Sequence, residues 1–415
     1  MMNPIGLGLA MAATASLGFA GTNGDPTKND PLLDSLFQSN VTVKYKPGSG
    51  VTFQGEKDDF SLNISGRLQA KWYYASNDNG GTDINTFAVR RARTKLMGNV
   101  WSKDITYYVQ FEHAAAPDVL DGFVGWNFWH NDDAYIGVNL GLQKFRSGLQ
   151  ADNSSGSLEI NERSMATNTF ANGRATGALF HGGFGKADNG HSLLWHLGLM
   201  NNDNAAGSAL NSALGTNESN KLDWTLGVMW AGEGSTGPTS YTEGDLAHNG
   251  KLEPVIGANL MIGKDTFGGT AIDTTTINIY AGAKFGNGLA AQGEVWIRKD
   301  DPTGGTKADS NGWYLQASYT TAPGEGTQWA FIGRVSMVTI DDVNPLLTII
   351  PSMQGTGTFA AVGTGDITEI QGGVSAYYHE HKLKSQVMVT FQSLNPDAGT
   401  DADNVGIDVM ATLAF

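Results

Sequence analysis

Hydrophobic and polar residues take turns along long stretches of this chain. Phe60, Leu62, Ile64, Gly66, Leu68, Ala70 and Trp72 alternate with Ser61, Asn63, Ser65, Arg67, Gln69 and Lys71. A period of two is the signature of a β-strand with one apolar and one polar face. Strands of soluble domains usually run about five or six residues, whereas a tilted strand needs about 9–11 to cross a bilayer. The segment 60–72 is long enough for the second role. The pattern returns at Ile105, Tyr107, Val109 and Phe111, at Leu222, Trp224, Leu226, Val228 and Trp230, and at Val405, Ile407, Val409, Ala411, Leu413 and Phe415. It predicts sixteen strands, at 60–72, 87–101, 104–114, 120–130, 134–145, 174–184, 191–201, 221–231, 253–263, 274–286, 288–299, 311–321, 327–339, 367–378, 381–392 and 404–415. The segments 120–130 and 174–184 have the weakest pattern. An even count of long antiparallel strands fits an all-β fold, a transmembrane up-and-down β-barrel.

The connections sort by length. If the first strand runs outward, the outer connections are 73–86, 115–119, 146–173, 202–220, 264–273, 300–310, 340–366 and 393–403, and all but 115–119 are long. The inner ones are short except 232–252, which is long and glycine-rich where a tight turn is expected. Barrels of this class have long outer loops and short inner turns. Aromatic residues gather near strand ends (Trp72 to Tyr74, Trp101, Trp126, Trp129, Tyr377, Tyr378), where rings favour a membrane–water boundary. The chain ends on Phe415, on the apolar face of its last strand, which resembles the terminal signal read by the outer-membrane assembly machinery.

Composition narrows the choice. Charged residues are 16% of the 415, and there are 55 glycines. The mean hydropathy of -0.23 suits a barrel, which shows lipid only every second residue. Beyond residue 20 no apolar run is long enough for a spanning helix. The absence of cysteine excludes disulfides and thiolate chemistry, and the net charge of -15 argues against nucleic acid as a partner. Met1 to Ala20 reads as a secretory signal, with an apolar run from Ile5 to Phe19 and small residues at Gly18 and Ala20, although no Lys or Arg precedes the run. The alternative is a disordered or buried N-terminal helix. The expected order is a signal segment (1–20), a periplasmic segment with a short hairpin (21–59), and the barrel (60–415).

Cations mark the polar face. Arg67 and Lys71 share the wet side of the first strand, and Arg91, Arg93 and Lys95 sit at alternate positions of the second. Facing lipid at the midplane, each would cost about 2–4 kcal/mol, so all five are expected to line the lumen as a basic wall. Arg90 falls on the opposite face and is expected near an interface. Two arrangements remain open: free cations that attract anions, or cations neutralised by lumen acids such as Glu112, Glu294 or Glu369. The connection 146–173 carries Arg146, Asp152, Glu159, Glu162, Arg163 and Phe170. Long loops within compact folds are usually functional. It is expected to narrow the pore, with Arg163 helping to set its charge; the alternative is a mobile extracellular loop.

Three stretches carry a resemblance: VTVKYKPGSGVTFQGEKDDFSLNISGRLQAKW (41–72), FAVRRARTKLMGNVWSKDITYYVQFEH (87–113), and DDAYIGVNLGLQKF with INERSMATNTF (132–145, 160–170). From about Val41 to Phe184 the chain resembles the phosphate-selective porin O/P family; beyond 185 it shares only the general barrel pattern and the terminal Phe. The resemblance implies a sixteen-stranded homotrimer in the bacterial outer membrane, with its third outer loop folded into the lumen. It implies passive diffusion of small ions and solutes, a bias toward anions, phosphate among them, and no cofactor. Other motifs carry nothing. His379-Glu380-His381 falls in a short turn without further ligands, no G-x-S-x-G or phosphate-cradling sequence occurs, and no catalytic or metal site is expected. The competing classes are an enzymatic barrel and a structural or adhesive one.

Overall fold

The computed structural model describes residues 41–57, 59–76, 83–114, 118–185, 192–201, 221–232, 241–267, 270–324, 326–340, 364–397 and 401–415. The expected signal segment and most of the connections 202–220 and 340–366 lie outside these. Among the described residues the chain forms β1 (Thr42–Lys46), β2 (Gly50–Gln54), β3 (Phe60–Ala75), β4 (Ile84–Val100), β5 (Ile105–Glu112), β6 (Asp118–His130), β7 (Ala134–Lys144), β8 (Arg174–Phe184) and β9 (Leu193–Asn201). There follow β10 (Leu222–Ala231), β11 (Glu253–Phe267), β12 (Thr270–Lys284), β13 (Leu289–Pro302), β14 (Ala308–Thr320), β15 (Gln328–Ile340), β16 (Gly365–His379), β17 (Leu383–Pro396) and β18 (Ala402–Ala414).

From β3 to β18 each strand pairs antiparallel with the next, and β18 returns to β3 through the register Gly406↔Ala75 to Ala414↔Arg67. The result is a closed sixteen-stranded antiparallel barrel. Closure leaves no row of unpaired backbone groups, the condition for a sheet to span lipid. The seam changes hands at Gly66. Above it β3 pairs with β18; below it β2 takes over, from Val51↔Ile64 to Gln54↔Ser61. Phe415 and Gly66 exchange backbone hydrogen bonds at 3.0 and 2.6 Å. A side chain at 66 would put its Cβ 2.6 Å from the Phe415 ring, so the closure needs glycine there.

The barrel is inside-out relative to a soluble fold. Along β10 the exposed residues are Leu222, Trp224, Leu226, Val228 and Trp230, while Asp223, Thr225, Gly227, Met229 and Ala231 between them are buried. Apolar side chains point away from the sheet into the surroundings and polar ones into the lumen. All sixteen expected strands are present, including 120–130 and 174–184. Several run further toward the long loops than the alternation reaches: β12 starts at Thr270 rather than 274, and β14 at Ala308 rather than 311. Hydropathy stops marking these polar ends, but the backbone ladder continues through them.

The long connections gather at one end, the loop end, and the short ones at the other, the turn end. Among the described residues, two segments fold inward. The β7–β8 connection enters the lumen and carries two short helices, α1 (Leu149–Asp152) and α2 (Met165–Phe170). Met165, Ala166 and Phe170 pack on Trp296, Tyr314 and Val338; Ile160 packs on Ile332, Tyr377 and Met388. Each such side chain withdrawn from water contributes about 1.5–3 kcal/mol, which seats the loop on the β13–β17 wall. The second segment belongs to the anomalous connection 232–252. Its described residues form no further strand: residues 241–246 turn back from the turn end into the barrel, burying Tyr241, Glu243 and Asp245.

Candidate pore constriction and its basic wall

The register of β3 against β4 sets Arg67 directly opposite Arg93, Gln69 opposite Arg91 and Ser65 opposite Lys95. Like charges opposed across strands destabilise a sheet, and separate partners keep these apart. Arg93 Nε donates to Glu112 Oε2 at 2.7 Å. Arg67 donates to the hydroxyls of Ser154 (3.1 Å) and Ser155 (2.8 Å) on the inserted loop. Arg91 reaches Gln69 Oε1 (3.0 Å) and Glu162 Oε2 (2.6 Å).

Arg90 departs from expectation. Gln69 pairs with Arg91 and Ala70 with Val89, so Arg90 is the extra residue of a β-bulge. A bulge breaks the in–out alternation and re-aims a side chain. Arg90 accordingly turns into the lumen beside Arg91, and its Nε lies 2.5 Å from Glu162 Oε1. Lys71 does point inward, but it is buried in an ion pair with Asp408 at 2.6 Å and lines neither of the two lumen cavities beside the inserted loop.

Within the loop, Arg163 donates to the carbonyls of Gln150 (2.9 Å) and Asn153 (2.8 Å), and Lys144 Nζ to those of Ala151 (2.9 Å) and Asn153 (2.9 Å). Two cations thus satisfy the carbonyl end of α1, where positive charge is favoured. Burial pushes the Arg163 guanidinium down to about 10, which leaves it charged at neutral pH. The start of α1 is held by Glu294, whose oxygens accept from Leu149 N (3.0 Å) and Gln150 N (2.7 Å). Burial works to raise the Glu162 carboxyl, but Arg91, Arg90 and Lys71 outweigh it and hold the group well below the usual carboxylate range. Glu159 lies apart from the wall cations. Burial, aided by the nearby Glu243, pushes its carboxyl up to about 7.

Two cavities flank the loop. The one toward the loop end has about 500 Å³ and is lined by Arg67, Arg90, Arg91, Arg93, Lys95, Lys144, Arg146, Arg163 and Arg174, with Asp121 and Asp152 the acids among its lining. Counting Glu112 and Glu162, which pair with members of this set, nine cations meet four carboxylates, a surplus of five. The cavity toward the turn end has about 700 Å³. Arg67, Lys95 and Ser154 line both, so these three side chains stand where the two cavities meet. Lys95 has no carboxylate within ion-pair distance among the described residues.

Of the nine residues expected from sequence, Arg67, Arg91, Arg93, Lys95, Arg146 and Arg163 surround the upper cavity, Glu162 pairs with its arginines, and Lys71 and Glu159 stand aside. Lys144 and Arg174 were missed. They sit opposite each other across β7 and β8, and Arg174 pairs with Asp121 at 2.9 Å. Each lies at a strand end where alternation fades; only the register brings them together.

Residues 62–230 match the family model described as phosphate-selective porin O and P. That matched segment contains the basic wall and the whole inserted loop. An anion-selective porin from Comamonas acidovorans superposes with a TM-score of 0.56 at 14% identity, over 86% of this chain and 100% of that one. The fold is that of a porin. The outer-membrane channel DcaP of Acinetobacter baumannii superposes with a TM-score of 0.55 at 9% identity over 88% of this chain and 100% of that one. OmpT of Vibrio cholerae, in its trimer form, gives 0.50 at 11% identity over 85% and 99%. No curated protein sequence matches the chain. The family match and the porin fold support an outer-membrane porin channel.

Proposed function

We propose that this porin conducts small ions and solutes passively across the bacterial outer membrane with a preference for anions, inorganic phosphate among them. The observation that carries the preference is the shared lining of the two cavities, read as the passage between them. Its two cations, Arg67 and Lys95, stand beside the Ser154 hydroxyl with no carboxylate in that shared lining among the described residues, and a surplus of five positive charges stands above it. A constriction chooses ions by the charges that line it. In this reading the 146–173 loop narrows the bore, Arg146 and Arg163 add to the field above it, and Glu162 offsets part of that field. The wall is neither wholly free nor wholly neutralised: Lys71, Arg91 and Arg93 are paired, while Lys95 has no carboxylate partner among the described residues.

The working unit in this proposal is a homotrimer, in keeping with the trimer form of OmpT. Residues 1–20 direct export and 21–59 lie on the periplasmic side. The test is a planar-bilayer recording of reversal potential in a KCl gradient, repeated with added phosphate. Anion preference with reduced chloride current in phosphate is expected. Cation preference sinks the proposal; anion preference without phosphate block removes phosphate from it.

A further inference from the structure

We propose that Glu243, carried into the lumen from the turn end, is a positioning residue that fixes the bore of the constriction by clamping the loop from below. The inference rests on the reading of the 146–173 loop as the constriction.

The carboxylate of Glu243 joins two parts of the barrel. Its Oε1 accepts from Gln150 Nε2 at 2.8 Å and Gln292 Nε2 at 2.9 Å; its Oε2 accepts from Glu159 N at 2.8 Å and Gln316 Nε2 at 3.0 Å. Two of these donors belong to the loop and two to the wall, on β13 and β14. The Glu243 backbone adds N–H to Ser157 O at 3.0 Å, and its carbonyl faces His381 Nε2 at 2.9 Å. Four acceptor positions are the full capacity of a carboxylate, and all four are in use.

The donors leave no room for a neutral substitute. Gln150 cannot turn its amide, because its oxygen already accepts from Ser164 N at 2.7 Å and Thr167 Oγ1 at 3.2 Å. The Glu159 donor is a backbone N–H and has no other orientation. A glutamine at 243 would aim N–H groups of its own at donors, and a buried donor without an acceptor is costly. The close approach also depends on Gly244, whose φ of 79° lies in the left-handed region; a Cβ there would sit 2.3 Å from Glu159 Oε1.

Ser154, the loop side of the passage, lies in the stretch between the clamped Gln150 and the clamped Ser157 and Glu159. Glu243 therefore holds both ends of the rim that faces Arg67 and Lys95. The loop keeps its other anchors, among them α2 on β13 to β15 and Ser375 Oγ on Glu159 O at 2.8 Å. Loss of the clamp frees the rim without unseating the loop.

The test uses the full-length protein in planar bilayers, with wild type, Glu243→Gln and Gly244→Ala compared. The isosteric Glu243→Gln keeps the volume and removes acceptors, so a merely space-filling role leaves it silent. Expected are about tenfold more frequent excursions of the open-channel current, the least that losing a hydrogen bond to a charged group implies. A higher gluconate-to-chloride permeability ratio should accompany them, while anion preference keeps its sign because Arg67 and Lys95 are untouched. Gly244→Ala reaches the same phenotype without altering the carboxylate. Quiet currents and an unchanged gluconate ratio in Glu243→Gln overturn the clamp while leaving the channel intact. A wild type that conducts nothing overturns the channel reading itself.

Discussion

Reversing the charge of Lys95 is the most direct test of how this pore chooses ions, and the structure sets the size of the effect. The cavity above the passage holds about 500 Å³, and a sphere of that volume has a radius of about 5 Å, which serves as the distance from the ammonium to a passing ion. At that distance one unit charge acts on another with about 0.8 kcal/mol in water, so Lys95→Glu, a change of two charges, shifts a monovalent ion by about 1.7 kcal/mol. Screening at 0.1 M salt, where the Debye length is about 10 Å, reduces this to about 1 kcal/mol. Anions lose it and cations gain it, so the anion-to-cation permeability ratio should fall about thirtyfold at 0.1 M. At 1 M, with a Debye length of about 3 Å, the fall should be only about threefold. Reversal potentials in KCl gradients at both concentrations measure this. The double substitution Lys71→Gln/Asp408→Asn is the control: it removes a charge-neutral pair whose members line neither cavity, so selectivity should hold. A Lys95→Glu shift that ignores salt, or a shift of equal size in the double substitution, refutes the reasoning.

Three further outcomes follow from the same geometry. The Glu159 carboxyl, raised from 4.5 to about 7 by burial and by Glu243, is also faced by Tyr241 of the insert, Lys284 of β12, Gln316 of β14, Tyr377 of β16 and Lys384 of β17. Because the folded loop favours its protonated form, the loop's seating is fullest below about 4.5, weakens as pH rises, and is weakest above about 7. Open-channel noise should therefore grow from pH 5.5 to 8 and flatten in Glu159→Gln; noise that falls with pH contradicts this. Leu226→Arg, on the outward face of β10, should lower folding stability in lipid vesicles by about 2–4 kcal/mol, measured by denaturant titration, and an unperturbed midpoint would mean that this face does not meet lipid. Lys71→Met strands a buried Asp408 and should cost about 3–5 kcal/mol, read as a lower temperature at which the folded band disappears from gels; no change in that temperature would show the pair to be immaterial.

Much of this architecture is written in a period of two. Alternation is a property of backbone geometry and neighbouring residues, so the chain declares all sixteen strands and puts Arg67, Lys71, Arg91, Arg93 and Lys95 on the wet face without reference to anything distant. Local patterning reaches its limit where the backbone departs from it. The bulge at Arg90 turns that guanidinium into the lumen although counting alternate residues sends it outward.

Which cations remain available is decided elsewhere. Lys71 is neutralised by Asp408 because closure lays the last strand against the first. Lys144 meets Arg174 through the register of two strand ends that hydropathy does not mark. The long connection 232–252 is an oddity in one dimension and a clamp in three, since its Glu243 gains meaning only beside Gln150, Glu159, Gln292 and Gln316. A polar lumen has no periodicity of its own: its order comes from hydrogen bonds and ion pairs between residues far apart in the chain, and only the closed barrel brings those together.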